Sequence, residues 1–304
     1  MRALAIVPIV SLVMAAVAQQ APPEATSLLG KPLVPAPQAE PLRQRNEANL
    51  DAAKAVYDKD PASADAVIWL GRRTAYLGRF RDAIAIFSKG IERHPDDARL
   101  FRHRGHRSIT VRELDRAVAD LSKAATLVKG RPDEVEPDGQ PNARNIPTSS
   151  LNSNIYYHLG LAHYLKGEFD RALDAYRECL RVSKNPDMLV ATTHWLYMTL
   201  RRFDRADEAS TVLAPISADM DVIENASYHK LLMLYKGANT EEALLSSAGG
   251  LDAVTIGYGV GNWHYYNGRR DQARKIFAMI VEIHASQWPA FGYVAAEAEL
   301  ARYR

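Results

Sequence analysis

Alanines that recur at a regular interval limit most strongly how this chain can fold. Each of them follows an acidic residue by one or two positions. The aligned alanines are Ala83, Ala117, Ala172, Ala206, Ala243 and Ala273. Most of the intervals are about 34 residues, a period typical of helix-turn-helix units that stack into a solenoid. The interval between Ala117 and Ala172 is longer and corresponds to one unit plus an insertion. The sequence therefore predicts an all-α chain of about six units.

Each well-formed unit also carries the residues that a packed pair of helices needs. A glycine lies on the first helix, and a bulky residue follows the alanine by four positions. The glycines are Gly71, Gly105, Gly160 and Gly261, and the bulky residues are Phe87, Leu121, Tyr176 and Phe277. Such an interval places the alanine and the bulky side chain on one face of the second helix. We therefore expect that face to be buried against the glycine, which lets the two helices approach closely.

This pattern resembles the tetratricopeptide repeat family. The similar stretches are residues 67–95, 101–124 and 155–180, with weaker units at 190–209 and 228–245 and a good one at 257–280. In the unit at 190–209, His194 stands where a small residue is expected. The resemblance implies a right-handed α-solenoid over residues 42–304. A lone helix is expected before the first unit, and a capping helix is expected at 287–302 to cover the last one.

The part of the chain that precedes the solenoid reads as two segments. Residues 1–18 combine Arg2 with an apolar run and small residues before Gln19, which predicts a cleaved export signal. The alternative is an uncleaved membrane anchor, but the apolar run is short for a bilayer. Residues 19–41 are rich in proline and poor in large apolar residues, so we expect a disordered spacer. The mature chain would then be periplasmic or secreted, with no membrane span.

Composition excludes several classes of function. The formal net charge is +2, which gives no nucleic-acid signature. Cys179 is the single cysteine, so an intramolecular disulfide and a lipid anchor at a mature N-terminal cysteine are both excluded; we expect a buried thiol. No metalloprotease helix, phosphate-binding glycine loop or nucleophile elbow is found. We therefore expect no catalytic residues, no cofactor and no metal.

The resemblance to tetratricopeptide repeats also implies a binding surface, because proteins of that family generally hold peptides or partner proteins in the concave groove. The first helix of each unit lines this groove. The implied groove positions are Arg72, Tyr76, Arg99, Arg102, His106, Asn154, Tyr157, Tyr164, Trp195, Tyr258, Asn262 and Tyr265. Arginines beside aromatic residues suit an acidic partner or one with a free carboxylate.

The densest local feature is a basic cluster on the first helix of the second unit. Arg99, Arg102, His103 and His106 recur at helical spacing and share a face. Three interpretations remain open: an anion site, a solvated basic face and a metal site. The surrounding positive charge disfavours the metal.

An insertion at residues 130–152 interrupts the repeat between the second and third units. Its first half is acidic, with Asp133, Glu134, Glu136 and Asp138. Long loops in compact domains are commonly functional or disordered. The insertion could fold over the groove as a lid with its carboxylates against the basic cluster, form a tethered surface loop, or bind calcium.

The sequence thus favours a non-enzymatic exported scaffold or adaptor that binds an unidentified protein or peptide. The main alternative is a protein that binds a small molecule or glycan through aromatic patches at Tyr157, Trp195 and Tyr265. A hydrolase with an unrecognised site is the third hypothesis.

Overall fold

A computed structural model describes residues 22–303, so the expected signal at residues 1–18 lies outside the described residues. The described part is mainly helical. Its helices are α1 (Glu40–Lys59), α2 (Ala64–Tyr76), α3 (Phe80–Arg93), α4 (Ala98–Thr110), α5 (Leu114–Val128), α6 (Leu151–Lys166), α7 (Phe169–Val182), α8 (Pro186–Arg202), α9 (Ala206–Leu213), α10 (Ala226–Tyr235), α11 (Glu241–Ser247), α12 (Gly250–Tyr266), α13 (Arg270–Ile283) and α14 (Phe291–Arg302). From residue 22 to residue 303, no helix is both long and apolar enough to cross a bilayer.

The helices pack as consecutive antiparallel pairs. Six pairs run from α2 with α3 to α12 with α13, and the second helix of each of the first three pairs contacts the first helix of the next. Helix α1 packs on α2 ahead of the first pair. This arrangement confirms the predicted all-α solenoid of helical repeats.

Contacts between glycines and bulky residues hold four of the pairs closely together. A β-carbon built on Gly105 would lie 2.7 Å from Leu121, and one on Gly160 would lie 2.6 Å from the ring of Tyr176. Gly261 has the same relation to Phe277, and Gly71 to Phe87. A larger residue at any of these four glycines would require the bulky side chain on the paired helix to move. The interpretation that these glycines let the two helices approach closely is therefore confirmed.

The predicted register is right in four units and wrong in two. Ala83, Ala117, Ala172 and Ala273 are fully buried. Ala206 and Ala243 are exposed, and the buried residues nearest to them are Ala209 and Leu244. In the fourth unit the repeated letters "FDRA" are therefore shifted by three positions, and Tyr197 rather than His194 takes the place of the glycine.

Backbone conformation at the turn between paired helices explains this shift. Gly78, Gly167 and Gly268 have positive φ angles and precede the buried alanine by five positions. Asp204, with φ of 57°, has the same relation to Ala209. Aspartate adopts this left-handed region more readily than most residues. The turn therefore forms at Asp204, and α9 begins at Ala206 instead of at Phe203.

Residues 22–39 form an ordered segment, so the prediction of a disordered spacer is wrong for this part of residues 19–41. Strands β1 (Ala25–Thr26) and β2 (Pro32–Leu33) pair antiparallel, and Ala25 and Leu33 are buried. Long-range hydrogen bonds hold the segment in place: the indole of Trp288 donates to the Val34 carbonyl over 2.8 Å, and Gln38 donates to the Tyr76 carbonyl. The order comes from tertiary contacts that the local composition does not reveal.

The C-terminal segment, which we define as residues 285–303, joins the last unit to the middle of the solenoid. It comprises a short 3-10 helix, Ala285–Gln287, and α14. Helix α14 packs against α12 and α13, where a cap is expected, and it also contacts α6. The segment therefore does more than cover the last unit.

Candidate functional site

The twelve implied groove residues all lie on the first helices of five pairs. Helix α2 carries Arg72 and Tyr76, and α8 carries Trp195. The others belong to α4 (Arg99, Arg102, His106), α6 (Asn154, Tyr157, Tyr164) and α12 (Tyr258, Asn262, Tyr265). We call the surface that the first helices form the groove surface, which in a solenoid is the concave side. Two other parts of the same chain cover it.

The insertion covers the half of the groove surface that α2 and α4 form. Residues 133–139, which we call the cover segment, lie across these helices. Arg72 Nη2 donates to the Pro137 carbonyl over 2.8 Å, and Arg73 Nη1 donates to the Gly139 carbonyl over 2.6 Å. The Tyr76 hydroxyl lies so close to Gly139 that a larger residue there would require the tyrosine side chain to move. The insertion is therefore an ordered cover rather than a loose surface loop.

Glu136 brings the cover segment into contact with the basic cluster. Its carboxylate lies 3.1 Å from Arg102 Nε and 3.6 Å from His103 Nε2, and it accepts a hydrogen bond from Asn154 Nδ2 over 3.0 Å. The lid hypothesis, in which acidic residues of the insertion rest against the basic cluster, is confirmed for this contact. Arg99 is separate, because it forms ion pairs with Asp97 and Asp65.

One ring nitrogen of each histidine in this cluster already forms a hydrogen bond with an arginine or with a backbone carbonyl. His103 Nδ1 accepts from Arg102 over 2.9 Å, His106 Nε2 accepts from Arg107 over 2.5 Å, and His158 Nδ1 donates to the Asn154 carbonyl. Burial, reinforced by the arginines, lowers the pKa of His103, His106 and His158 well below its ordinary value. These interactions disfavour a metal further, because two candidate ligand nitrogens already accept hydrogen bonds from guanidinium groups.

The C-terminal segment covers the half of the groove surface that α6, α8 and α12 form. Phe291 packs against the rings of His106, Tyr157 and His158. At the other end of α14, Arg302 Nη2 donates to the carbonyls of Tyr164 and Leu165 over 2.9 and 2.7 Å. Helix α14 therefore lies along the groove surface from α4 to α12.

Two buried carboxylates fix α14 in this position. Glu297 Oε2 accepts from Arg112 Nε over 2.9 Å, and both side chains are almost fully buried. Glu299 lies 3.1 Å from Arg202 and 2.8 Å from Arg302. Arg112 Nη2 also donates to the Trp288 carbonyl. Buried ion pairs across such a contact are costly to separate, so the position of α14 is strongly specified.

The covering segments and direct contacts among the first helices together correct the picture of an open groove: Glu136 contacts Arg102 and Asn154, and Trp195 packs on the rings of Tyr164 and Tyr258. Several implied groove residues belong to a closed core and are at most 9% exposed: Arg102, Asn154, Tyr157, Tyr164, Trp195, Tyr258 and Asn262. Arg72, Tyr76, Arg99, His106 and Tyr265 are partly exposed. The hydroxyl of Tyr258 and the amide of Asn262 both donate to the Tyr164 hydroxyl over 2.9 Å. Trp195 and Tyr157 offer no open aromatic surface for a glycan.

Sequence reasoning missed the residues that hold the covering segments. Arg112 is the most informative, because it stands at the position that Gly78 and Gly167 occupy in neighbouring units and has φ of 67°. A non-glycine residue at a turn that favours glycine is a signal for a role in contacts. Glu297 and Glu299 gave a second signal, since two acidic residues interrupt an otherwise alanine-rich helix.

His194 gives a prediction of pH-dependent stability. It is buried and stacks on the ring of Tyr228 at 4.5 Å, and burial lowers its pKa to about 3. The unfolded chain takes up this proton near pH 6.5, so the contribution to stability is complete above that pH and declines as the pH falls towards 3. We expect His194 alone to lower the free energy of unfolding by about 2 kcal/mol between pH 7 and pH 5.

Urea unfolding of the wild type and of His194→Gln at both pH values measures this effect. The variant should lose about 2 kcal/mol less than the wild type on acidification. Equal losses in the two proteins would show that the ring of His194 is not kept neutral by the fold.

Comparison with known proteins gives one family match. The description of the tetratricopeptide repeat family matches residues 153–186, the length of a single repeat unit, which contains most of α6 and all of α7. No curated protein matches the sequence.

Several solved structures are similar to this chain at low identity. MamA is 19% identical over 58% of this chain and 92% of its own, with a TM-score of 0.43. YrrB, described as a TPR protein with an unusual peptide-binding site, is 14% identical over 83% of this chain and 99% of its own, with a TM-score of 0.45. A tetratricopeptide repeat protein from Parabacteroides merdae is 12% identical over 84% and 98%, with a TM-score of 0.47. Similarities of this degree carry no argument about ligands or partners of this chain.

Proposed function

We propose that this chain, which matches the tetratricopeptide repeat family at residues 153–186, is an exported, non-enzymatic scaffold or adaptor that binds a protein or peptide on its groove surface. The expected signal at residues 1–18 is the reason for placing it in the periplasm or outside the cell. Stacked helical pairs offer an extended surface that suits a partner segment better than a small substrate.

One observation carries this proposal: the groove surface already holds a helix of the same chain. Helix α14 presents Glu297 and Glu299 to Arg112 and Arg202, and Phe291 to a cluster of rings. The groove surface therefore has the contacts that an apolar, alanine-rich helix with two buried glutamates needs. A partner with a helix of this chemistry would replace α14.

Competition from α14 determines how such binding must be measured. The helix is attached to the solenoid, so its effective concentration at the groove surface is high and a free partner competes poorly. A substitution that weakens only the attachment of α14 should raise the fraction of chains open to a partner. Arg302→Ala is suitable, because Arg302 is partly exposed and its guanidinium bonds the carbonyls of Tyr164 and Leu165 and the carboxylate of Glu299.

The test uses a labelled peptide of residues 285–303 added to the mature chain, residues 19–304. We expect the Arg302→Ala chain to bind the peptide at least about tenfold more tightly than the wild type. Arg181→Ala is the matched control, because Arg181 forms an ion pair with Glu178 of its own helix, away from α14. A peptide with Glu297→Lys and Glu299→Lys should bind none of the three chains.

The outcomes separate recognition from non-specific adhesion. Equal binding of the native and charge-reversed peptides would contradict recognition by the groove surface, and so would equal affinities of the Arg302→Ala and wild-type chains. If the native peptide binds as expected, the Arg302→Ala chain becomes the bait for capturing partners from envelope and secreted fractions, with the Arg181→Ala chain beside it. A partner enriched only by the former would establish the adaptor role.

A further inference from the structure

A small cavity lies beneath the cover segment, between that segment and helices α2 and α4. Its volume is about 120 Å³, roughly four times the volume of about 30 Å³ that a water molecule takes in the liquid. Arg72, Arg102 and Arg107 contribute to its wall, and Glu136 of the cover segment closes one side. The cavity is thus large enough for a four-oxygen anion and too small for a peptide segment.

Positive charge dominates the wall of this cavity. Three guanidinium groups face a single carboxylate, that of Glu136, which lies nearest to Arg102. Among residues 22–303, neither Arg72 nor Arg107 forms an ion pair with a carboxylate: Arg72 bonds the Pro137 carbonyl, and Arg107 bonds His106 and lies over the ring of Phe80. The wall therefore carries an excess of two positive charges.

One buried donor in the wall makes no hydrogen bond within the described residues: Arg102 Nε lies 3.1 Å from Glu136 Oε2, but the two atoms form an ion pair without hydrogen-bond geometry. Burial lowers the pKa of Arg107 to about 10, so its guanidinium is still charged at pH 7. His103 and His106 are neutral and accept one hydrogen bond each from Arg102 and Arg107, which orients these guanidinium groups. A partly buried excess of positive charge is costly unless an anion compensates it.

We propose that this cavity binds a small tetrahedral dianion, hydrogen phosphate or sulfate, between Arg72, Arg102 and Arg107. The two negative charges match the excess of two positive charges, and four oxygens provide acceptors for the donors of three guanidinium groups. Glu136 already supplies a carboxylate at this place, so a further carboxylate alone would leave one charge unmatched. The site goes beyond the protein-binding role and does not depend on it, because α14 takes no part in it.

Calorimetry and thermal unfolding of the mature chain at pH 8 test the proposal with phosphate, sulfate, acetate and chloride at equal ionic strength. Phosphate and sulfate should bind and raise the unfolding temperature, whereas acetate and chloride should do neither. Arg107→Gln should weaken phosphate binding at least about tenfold, because it removes one charge and its guanidinium donors. Arg181→Gln, on the outer face of α7, should leave phosphate binding unchanged.

A second variant keeps the test decisive if Arg107→Gln does not fold. Glu136→Gln removes the opposing charge and should tighten phosphate binding about threefold or more. Weaker or unchanged affinity in that variant would overturn the proposal. Equal responses to phosphate and chloride would overturn it as well, and acetate binding as tight as phosphate binding would overturn the assignment to a dianion.

Discussion

Ala172→Asp is expected to destabilise the protein by about 3–5 kcal/mol, whereas Ala206→Asp should change the free energy of unfolding by less than about 0.5 kcal/mol. Both alanines end the same four letters, "FDRA". Ala172 is fully buried in α7, one helical turn before Tyr176, so an aspartate there would place a carboxylate in a tight helix contact without a partner. Ala206 is exposed at the start of α9, where an acidic residue suits the helix dipole.

Urea unfolding monitored by circular dichroism measures both variants under the same conditions. Typical domains have a total stability of about 5–15 kcal/mol, so Ala172→Asp should lose a large part of it or fail to fold. Because the local sequences are nearly identical, the comparison isolates the register of the fourth unit. Similar losses in the two variants would mean that Ala206 packs as Ala172 does and that α9 is placed wrongly.

Most of the solenoid could be predicted from the sequence because its contacts are local. Gly160 and Tyr176 lie on consecutive helices, and their contact repeats in other units, so spacing alone reveals it. The prediction of the register of the fourth unit was wrong, and for a local reason too. Asp204 occupies the left-handed turn position at which other units have glycine, and this moves the start of α9 by three positions. A short sequence motif does not show whether a residue lies in the turn or at the start of the following helix.

The covered groove could not be predicted, since the contacts that cover it join distant parts of the chain. Trp288 bonds the Val34 carbonyl, which is 254 residues away, and Glu297 pairs with Arg112 across 185 residues. Nothing in the local pattern of either segment specifies these partners. The implied groove residues were placed on the correct helices, but their exposure depended on the covering segments and on contacts between first helices of different units, such as that of Trp195 with Tyr258.

The Arg112–Glu297 pair is expected to produce the second large effect. Glu297→Gln should destabilise the protein by about 3–5 kcal/mol, because it leaves the guanidinium of Arg112 buried without its counter-charge. Glu178→Gln is the matched control: the same substitution breaks the exposed pair with Arg181 and should cost less than about 1 kcal/mol.

Arg112→Gly combined with Glu297→Gln then tests why an arginine stands at a glycine position. Glycine relaxes the backbone at φ of 67°, and the double variant contains no unpaired buried charge. We expect the double variant to be more stable than Glu297→Gln alone by at least about 1 kcal/mol.

Amide hydrogen exchange should nevertheless be faster in residues 291–302 of the double variant than in the wild type, because α14 has lost an attachment. Additive losses would show that the two side chains act independently, and unchanged exchange in α14 would show that this ion pair does not hold the helix on the groove surface.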